Sequence, residues 1–170
     1  MASAESKSFR NEHLLILLLC ITAALRVFIF SAAFPFFTNI DEDLHFDLIT
    51  QYAHIQVPRS FDRLKEETLN WIVPYASPEF LFAPERFTDG KFPAPLWKES
   101  WSKVEAEIGA TRAEWSSEIN FQSSQPPLYY ELASAWWWIG KQMGLAGLQS
   151  LYWIRFLNVS LVAMMVCLRT

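Results

Sequence analysis

Two short strings carry side chains able to do chemistry. The first is Asp41-Glu42-Asp43-Leu44-His45-Phe46-Asp47, which packs carboxylates and an imidazole into consecutive positions. On a helix Asp41 and His45 stand at i and i+4 and share one face, a pair able to hold a proton or a metal ion. A carboxylate partly withdrawn from water is a reasonable general base. Acids in a helix's first turn also offset its macrodipole, so spacing alone leaves both readings open. The second string is Gln125-Pro126-Pro127-Leu128-Tyr129-Tyr130. Its diproline suits a helix start, and its tyrosines suit a membrane interface. Two arginines, Arg26 and Arg155, interrupt apolar runs. A central arginine costs about 2.5–3.5 kcal/mol on insertion scales, so each either snorkels to the interface or faces a polar cavity.

The elements that must position these residues follow from composition. The chain has 170 residues, 52% hydrophobic and 19% charged, where soluble domains carry about 25% charged residues. That excludes a disordered chain, and a net charge of −4 gives no basic footprint for nucleic acid. Its two cysteines, Cys20 and Cys167, lie in apolar runs and read as small hydrophobes. Residues 14–37 and 148–168 each hold a single charge, and about 20 helical residues cross a hydrocarbon core. Between them, residues 38–125 hold 15 acids against 8 bases. The expected fold is an all-α membrane protein: transmembrane helices at 14–37 and 148–168 flank a long acidic extracytoplasmic loop, 38–147, with short amphipathic juxtamembrane helices.

Lys7, Arg10 and Arg169 flank the two spans, so the positive-inside rule puts residues 1–13 and 169–170 in the cytoplasm and the loop outside. A cleaved signal peptide ending near Ser31-Ala32-Ala33 is the alternative. The apolar sequence runs on through Phe37, longer than a signal needs, and an uncleaved anchor is expected. Within the loop, Leu44, Leu48, Ile49, Tyr52 and Ile55 recur at helical spacing over 41–56. Asn39 and Glu42 are placed as a capping box, and Pro58 ends the helix. Further helices are expected at 61–71 and at 96–108, the latter with Trp97, Trp101, Val104 and Ile108 on one face. Trp115 is expected to begin another short piece. The prolines of 72–96 make that stretch irregular. Residues 126–143 form an interfacial helix too short to span, with Gly144 and Gly147 as its hinge.

The order of these strings carries a resemblance. Leu25-Arg26 in a first span, Asp41-Glu42-x-x-His45-Phe46 just beyond it, the Gln125-Pro126-Pro127-Leu128-Tyr129-Tyr130 string after a long loop, and Arg155-Phe156-Leu157-Asn158 in the next span resemble the N-terminal portion of integral membrane glycosyltransferases of the C superfamily (GT-C). The dolichol-phosphate-mannose-transferase-like and aminoarabinose-transferase-like members are the most similar. The third acid, Asp43, and the stretch 62–120 have no counterpart in that pattern.

The resemblance implies an inverting enzyme that moves a sugar from a polyprenyl-phosphate carrier to an extracytoplasmic acceptor. Asp41 would take the acceptor's proton, and Glu42 would orient that site or help hold a divalent metal. His45 would line the same pocket and is, with Glu42, a candidate metal ligand. Gln125, Pro126, Pro127 and Tyr129 would shape the substrate-binding wall, while Arg26 and Arg155 would face the carrier phosphate. The implied partners are the bilayer, the polyprenyl-phosphate donor and further transmembrane helices, with no nucleic acid. The implied location is a bacterial inner membrane. Because such enzymes have more spans, the chain is expected to be an N-terminal fragment, inactive alone. The competing expectation is a non-enzymatic two-span membrane protein whose outer loop binds a partner or envelope component.

Overall fold

The computed structural model describes residues 2–38 (side chains from 12 onward), 41–78, 91 and 94–168. Its helices are α1 (Ala2–Ala33), α2 (Glu42–Ala53), α3 (Leu69–Tyr75), α4 (Trp101–Trp115), α5 (Leu128–Gln142) and α6 (Leu148–Leu168). Single 3-10 turns lie at Glu66–Thr68, Leu96–Lys98 and Phe121–Ser124. Among the described residues there is no strand, only isolated bridges pairing Phe36 with Ala76 and Arg63 with Ile119. The chain divides into two units, residues 1–34 with 149–170, and residues 35–148.

The first unit holds the two helices long and apolar enough to cross a membrane, over Glu12–Ala33 and Leu148–Leu168. The first of these runs was expected to reach residue 37. Instead α1 stops at Ala33, because Phe34 precedes Pro35 and that position disfavours helical backbone. Phe36 and Phe37 leave the helix and are buried in the second unit. The helix also begins at Ala2, so residues 2–13 continue it. Phe28 stacks on Phe156 at 5.1 Å, and Cys20 Sγ lies 2.9 Å from Cys167 Sγ. Ten large apolar side chains of α1 from Leu14 to Phe30 are 45–59% exposed, while Ile16 and Val27 are half-buried. The side chains of Lys7 and Arg10, and Arg169, on which the expected orientation rests, lie outside the described residues.

In the second unit α2 packs on α5, while α3 packs on α4. Phe37 meets Phe46 at 5.3 Å, Phe46 meets Trp137 at 4.9 Å, and Trp137 meets Trp71 edge-on at 5.0 Å. These rings, with Leu48, Ile49, Leu69 and Val73, form the core. At its centre Asp47 is wholly buried without a cation. Its Oδ1 accepts from the Lys65 amide (3.0 Å) and the Thr68 hydroxyl (2.7 Å). Its Oδ2 accepts from Gln51 Nε2 (2.7 Å) and Asn120 Nδ2 (3.0 Å). Asn120, equally buried, also donates to the Leu44 carbonyl. One carboxylate thereby ties α2 to two loops.

Several local expectations change. The helix expected over 41–56 ends at Ala53, and Ile55, with φ +60°, is 92% exposed rather than part of the buried stripe. Phe46 takes the core place instead. The N-cap expected at Asn39 lies outside the described residues, and α2 starts from Asp41. The helix expected at 61–71 is displaced to Leu69–Tyr75 behind a 3-10 turn. Val104 and Ile108 are buried as expected, but Trp97 and Trp101 are exposed. Trp115 ends α4 rather than opening a new piece, and its indole donates to the Lys65 carbonyl at 3.0 Å. Of the prolines and glycine placed in the irregular stretch, Pro84, Gly90 and Pro93 lie outside the described residues. The diproline does start α5, with Pro127 as its N-cap. At the other end, Gly144 (φ +81°) closes α5: its amide donates to the Lys141 carbonyl and the Leu145 amide to that of Gly140. That is a Schellman cap, which favours glycine.

Candidate functional site at the start of α2

Asp41 stands at the N-cap of α2 with φ +46°, in the left-handed region, which aspartate enters at less cost than most residues. Phe37, four residues earlier, also has a positive φ, +52°. The Asp41 side chain makes no capping hydrogen bond. Glu42 has a backbone partner: its Oε2 accepts the Phe37 amide at 2.7 Å.

Asp41 and Asp43 line a cleft of about 500 Å³. Its floor is Leu69, Ile72, Val73 and Ala76, and its far wall is Thr111, Glu114, Trp115 and Glu118. Four carboxylates thus face an apolar floor, and among the described residues no lysine or arginine lines the cleft. Burial pushes the Asp43 carboxyl above its ordinary value, partly offset by the amide of Leu44, which donates to it at 2.9 Å. The neighbouring charges of Asp41 and Glu42 push it further up.

His45, on the next turn, faces α5. Its Nδ1 lies 2.8 Å from the Tyr130 hydroxyl, and the two rings stack at 5.8 Å. Tyr52 stacks on the other side of this contact, 6.1 Å from Tyr130. Burial lowers the His45 pKa against the opposing pull of Asp41, Asp43 and Glu42, which favours the neutral ring. Burial also pushes the Tyr130 phenol up to about 12, with Tyr129 and Tyr52 adding to the shift. The two sequence strings therefore meet, 85 residues apart. The tyrosine that joins them is Tyr130, which the site expectation did not include. Its burial at the α2–α5 contact needs the tertiary fold to be seen, although the five-residue spacing from Gln125 was legible.

The other expected site residues are placed as follows. Tyr129 is half-buried and meets Tyr130 edge-on at 5.5 Å. Gln125, Pro126 and Pro127 are exposed at the start of α5. Arg26 is exposed on α1 with its guanidinium 5.7 Å from the Phe30 ring centre. Arg155 donates to the carbonyls of Ser31 (3.2 Å) and Phe34 (2.6 Å), capping the end of α1. The candidate metal ligands, Glu42 and His45, turn to different partners, and no group of three or more metal-ligating side chains is gathered among the described residues.

The described residues are all-helical, with two helices of membrane-spanning length in the first unit and an acidic cleft in the second. No known family, curated protein or solved structure matches the chain.

Proposed function

We propose that the chain is a membrane-anchored part of a glycosyltransferase that moves a sugar from a polyprenyl-phosphate carrier to an extracytoplasmic acceptor. The observation that carries this reading is Asp41: a left-handed residue whose carboxylate caps no helix and lines a cleft. The membrane part of the reading is supported by the Glu12–Ala33 stretch of α1, which is strongly apolar and mostly exposed. Such a helix belongs in lipid or a protein core. The orientation, with the second unit outside the bacterial inner membrane, follows the flanking basic residues. Further membrane helices would supply polar surroundings for Arg26.

In this mechanism Asp41 accepts the proton of the acceptor hydroxyl as that oxygen bonds to the sugar's anomeric carbon. The bond from that carbon to the carrier phosphate breaks, and the phosphate leaves with the electron pair. Asp43 adds a second acid to the cleft, while His45 turns from it to Tyr130. The test is Asp41→Asn in the native membrane assembly, with radiolabelled polyprenyl-phosphate hexose as donor and the cell-envelope fraction as acceptor. Because general-base assistance is worth about 10²–10⁴ in rate, transfer should fall at least about a hundredfold. Stability should barely move, since a helix-terminal acid contributes only about 0.3–1 kcal/mol. Transfer within a few-fold of wild type would overturn the assignment and favour a non-enzymatic membrane protein with a binding outer loop.

A further inference from the structure

A second cleft opens at the other end of α2, about 20 Å along the helix from Asp41 at 1.5 Å per residue. It encloses about 320 Å³, near the lower limit of small-molecule sites, about 300–1,000 Å³. Three tryptophans line it: Trp71 from α3, and Trp137 and Trp138 from α5. Trp137 is buried in the core and meets Trp71 edge-on at 5.0 Å, so this pair forms a fixed wall. Trp138 is 60% exposed, an unusual place for so large an apolar surface.

The polar groups of the cleft are few and of mixed sign. The Lys141 ammonium lies 4.7 Å from the Trp71 ring centre and 5.6 Å from that of Trp137, a cation–π arrangement that holds it at the wall. His54 Nδ1 donates to the Thr50 carbonyl at 2.8 Å, which leaves Nε2 as the nitrogen available to a ligand. Glu67, exposed in the 3-10 turn before α3, contributes a carboxylate. One ammonium and one carboxylate cancel, so the cleft has no net sign that would select an ion. It pairs flat aromatic surface with a donor, an acceptor and an imidazole.

We infer that this cleft binds a neutral pyranose, its apolar C–H face on the tryptophans and its hydroxyls on Glu67, His54 and Lys141. A pyranose ring has an apolar face of axial C–H groups and a rim of hydroxyls that both donate and accept, which is the complement of this lining. The inference stands without the transferase reading, since the cleft shares none of its lining with the cleft at Asp41.

The test uses the full chain in nanodiscs and a panel of methyl pyranosides and β-linked disaccharides, observed by saturation-transfer NMR. At least one sugar should receive saturation mainly on the protons of one ring face. Trp138→Ala, at an exposed position, should weaken that binding tenfold or more, and Glu67→Gln should weaken it several-fold. Leu132→Ala, also exposed on α5 but outside the cleft, should leave it unchanged. A second arm separates free sugar from a glycolipid headgroup. Tryptophan emission is followed with nanodiscs of phospholipid alone and with nanodiscs carrying a glycosyl-diacylglycerol, and a larger Trp138-dependent change with the glycolipid assigns the sugar to a headgroup. The inference is overturned if no sugar or glycolipid gives a response beyond that of plain phospholipid. It is equally overturned if the response survives both Trp138→Ala and Glu67→Gln.

Discussion

Asp47 is the residue whose loss should cost the second unit most. Its two oxygens accept four hydrogen bonds of 2.7–3.0 Å from Lys65, Thr68, Gln51 and Asn120, in a place with no solvent exposure. In Asp47→Ala, Asn120 keeps the Leu44 carbonyl at 2.9 Å, and the Thr68 hydroxyl has Thr50 Oγ1 at 3.5 Å. The Lys65 amide and the Gln51 amide nitrogen keep no acceptor at the site. The buried Gln51 donor, orphaned at about 1–3 kcal/mol, and the part-buried Lys65 amide, which water can partly satisfy, together give an expected loss of about 2–4 kcal/mol. Asp47→Asn replaces one acceptor oxygen by an NH2 group facing two donors, and should cost roughly half as much. A domain's whole stability is about 5–15 kcal/mol, so the alanine variant should lose a large share of it. Urea unfolding of the full chain in detergent, followed by tryptophan emission, reads this directly, because most of the tryptophans lie in the second unit. If Asp47→Ala stayed within about 0.5 kcal/mol of wild type, as neutral surface substitutions do, the network would not be holding the fold.

The His45–Tyr130 pair should give the fold a pH dependence at both ends. Because burial lowers the folded pKa of His45 below 6.5, the neutral ring's contribution is complete above that value and is lost as pH falls below it. Asp43, raised above 3.8, acts in the opposite sense, its penalty easing as it protonates. Tyr130, raised from 10 to about 12, loses stability as pH rises through 10, where the unfolded phenol ionises first. His45→Gln should flatten the slope just below pH 6.5 and Tyr130→Phe the alkaline one, measured as unfolding midpoint against pH; unchanged slopes would contradict the pairing. Separately, the 2.9 Å approach of Cys20 and Cys167 puts α1 and α6 in reach of a cross-link. Mild copper-phenanthroline oxidation should protect both thiols from alkylation in the monomer, and Cys167→Ser should restore labelling of Cys20; cross-linking only between separate chains would refute that packing.

The sequence by itself determined the features that depend on nearest neighbours and composition. Two runs of about 20 apolar residues make helices of membrane length whatever surrounds them, because backbone hydrogen bonds within a helix need no partner segment. The diproline before Leu128 starts α5 because it suits the first helical turn and cannot sit in the middle of one. Tertiary packing decided the rest, including the meeting of the two chemical strings through His45 and Tyr130. Periodicity marks a stripe on a helix but not how far a partner covers it, so Phe46 and Asp47 are buried on α2 while Ile55, just past the helix end, stands in solvent. Trp97 and Trp101 follow the same spacing as Val104 and Ile108, yet only the latter two are covered. The acids of 41–47 look alike in sequence, and the fold gives each a different task. Asp41 lines a cleft, Glu42 holds a turn, Asp43 is partly desolvated, and Asp47 is the buried acceptor for donors as far away as Asn120. Their roles depend on which groups long-range folding brings next to them, and no local pattern carries that information.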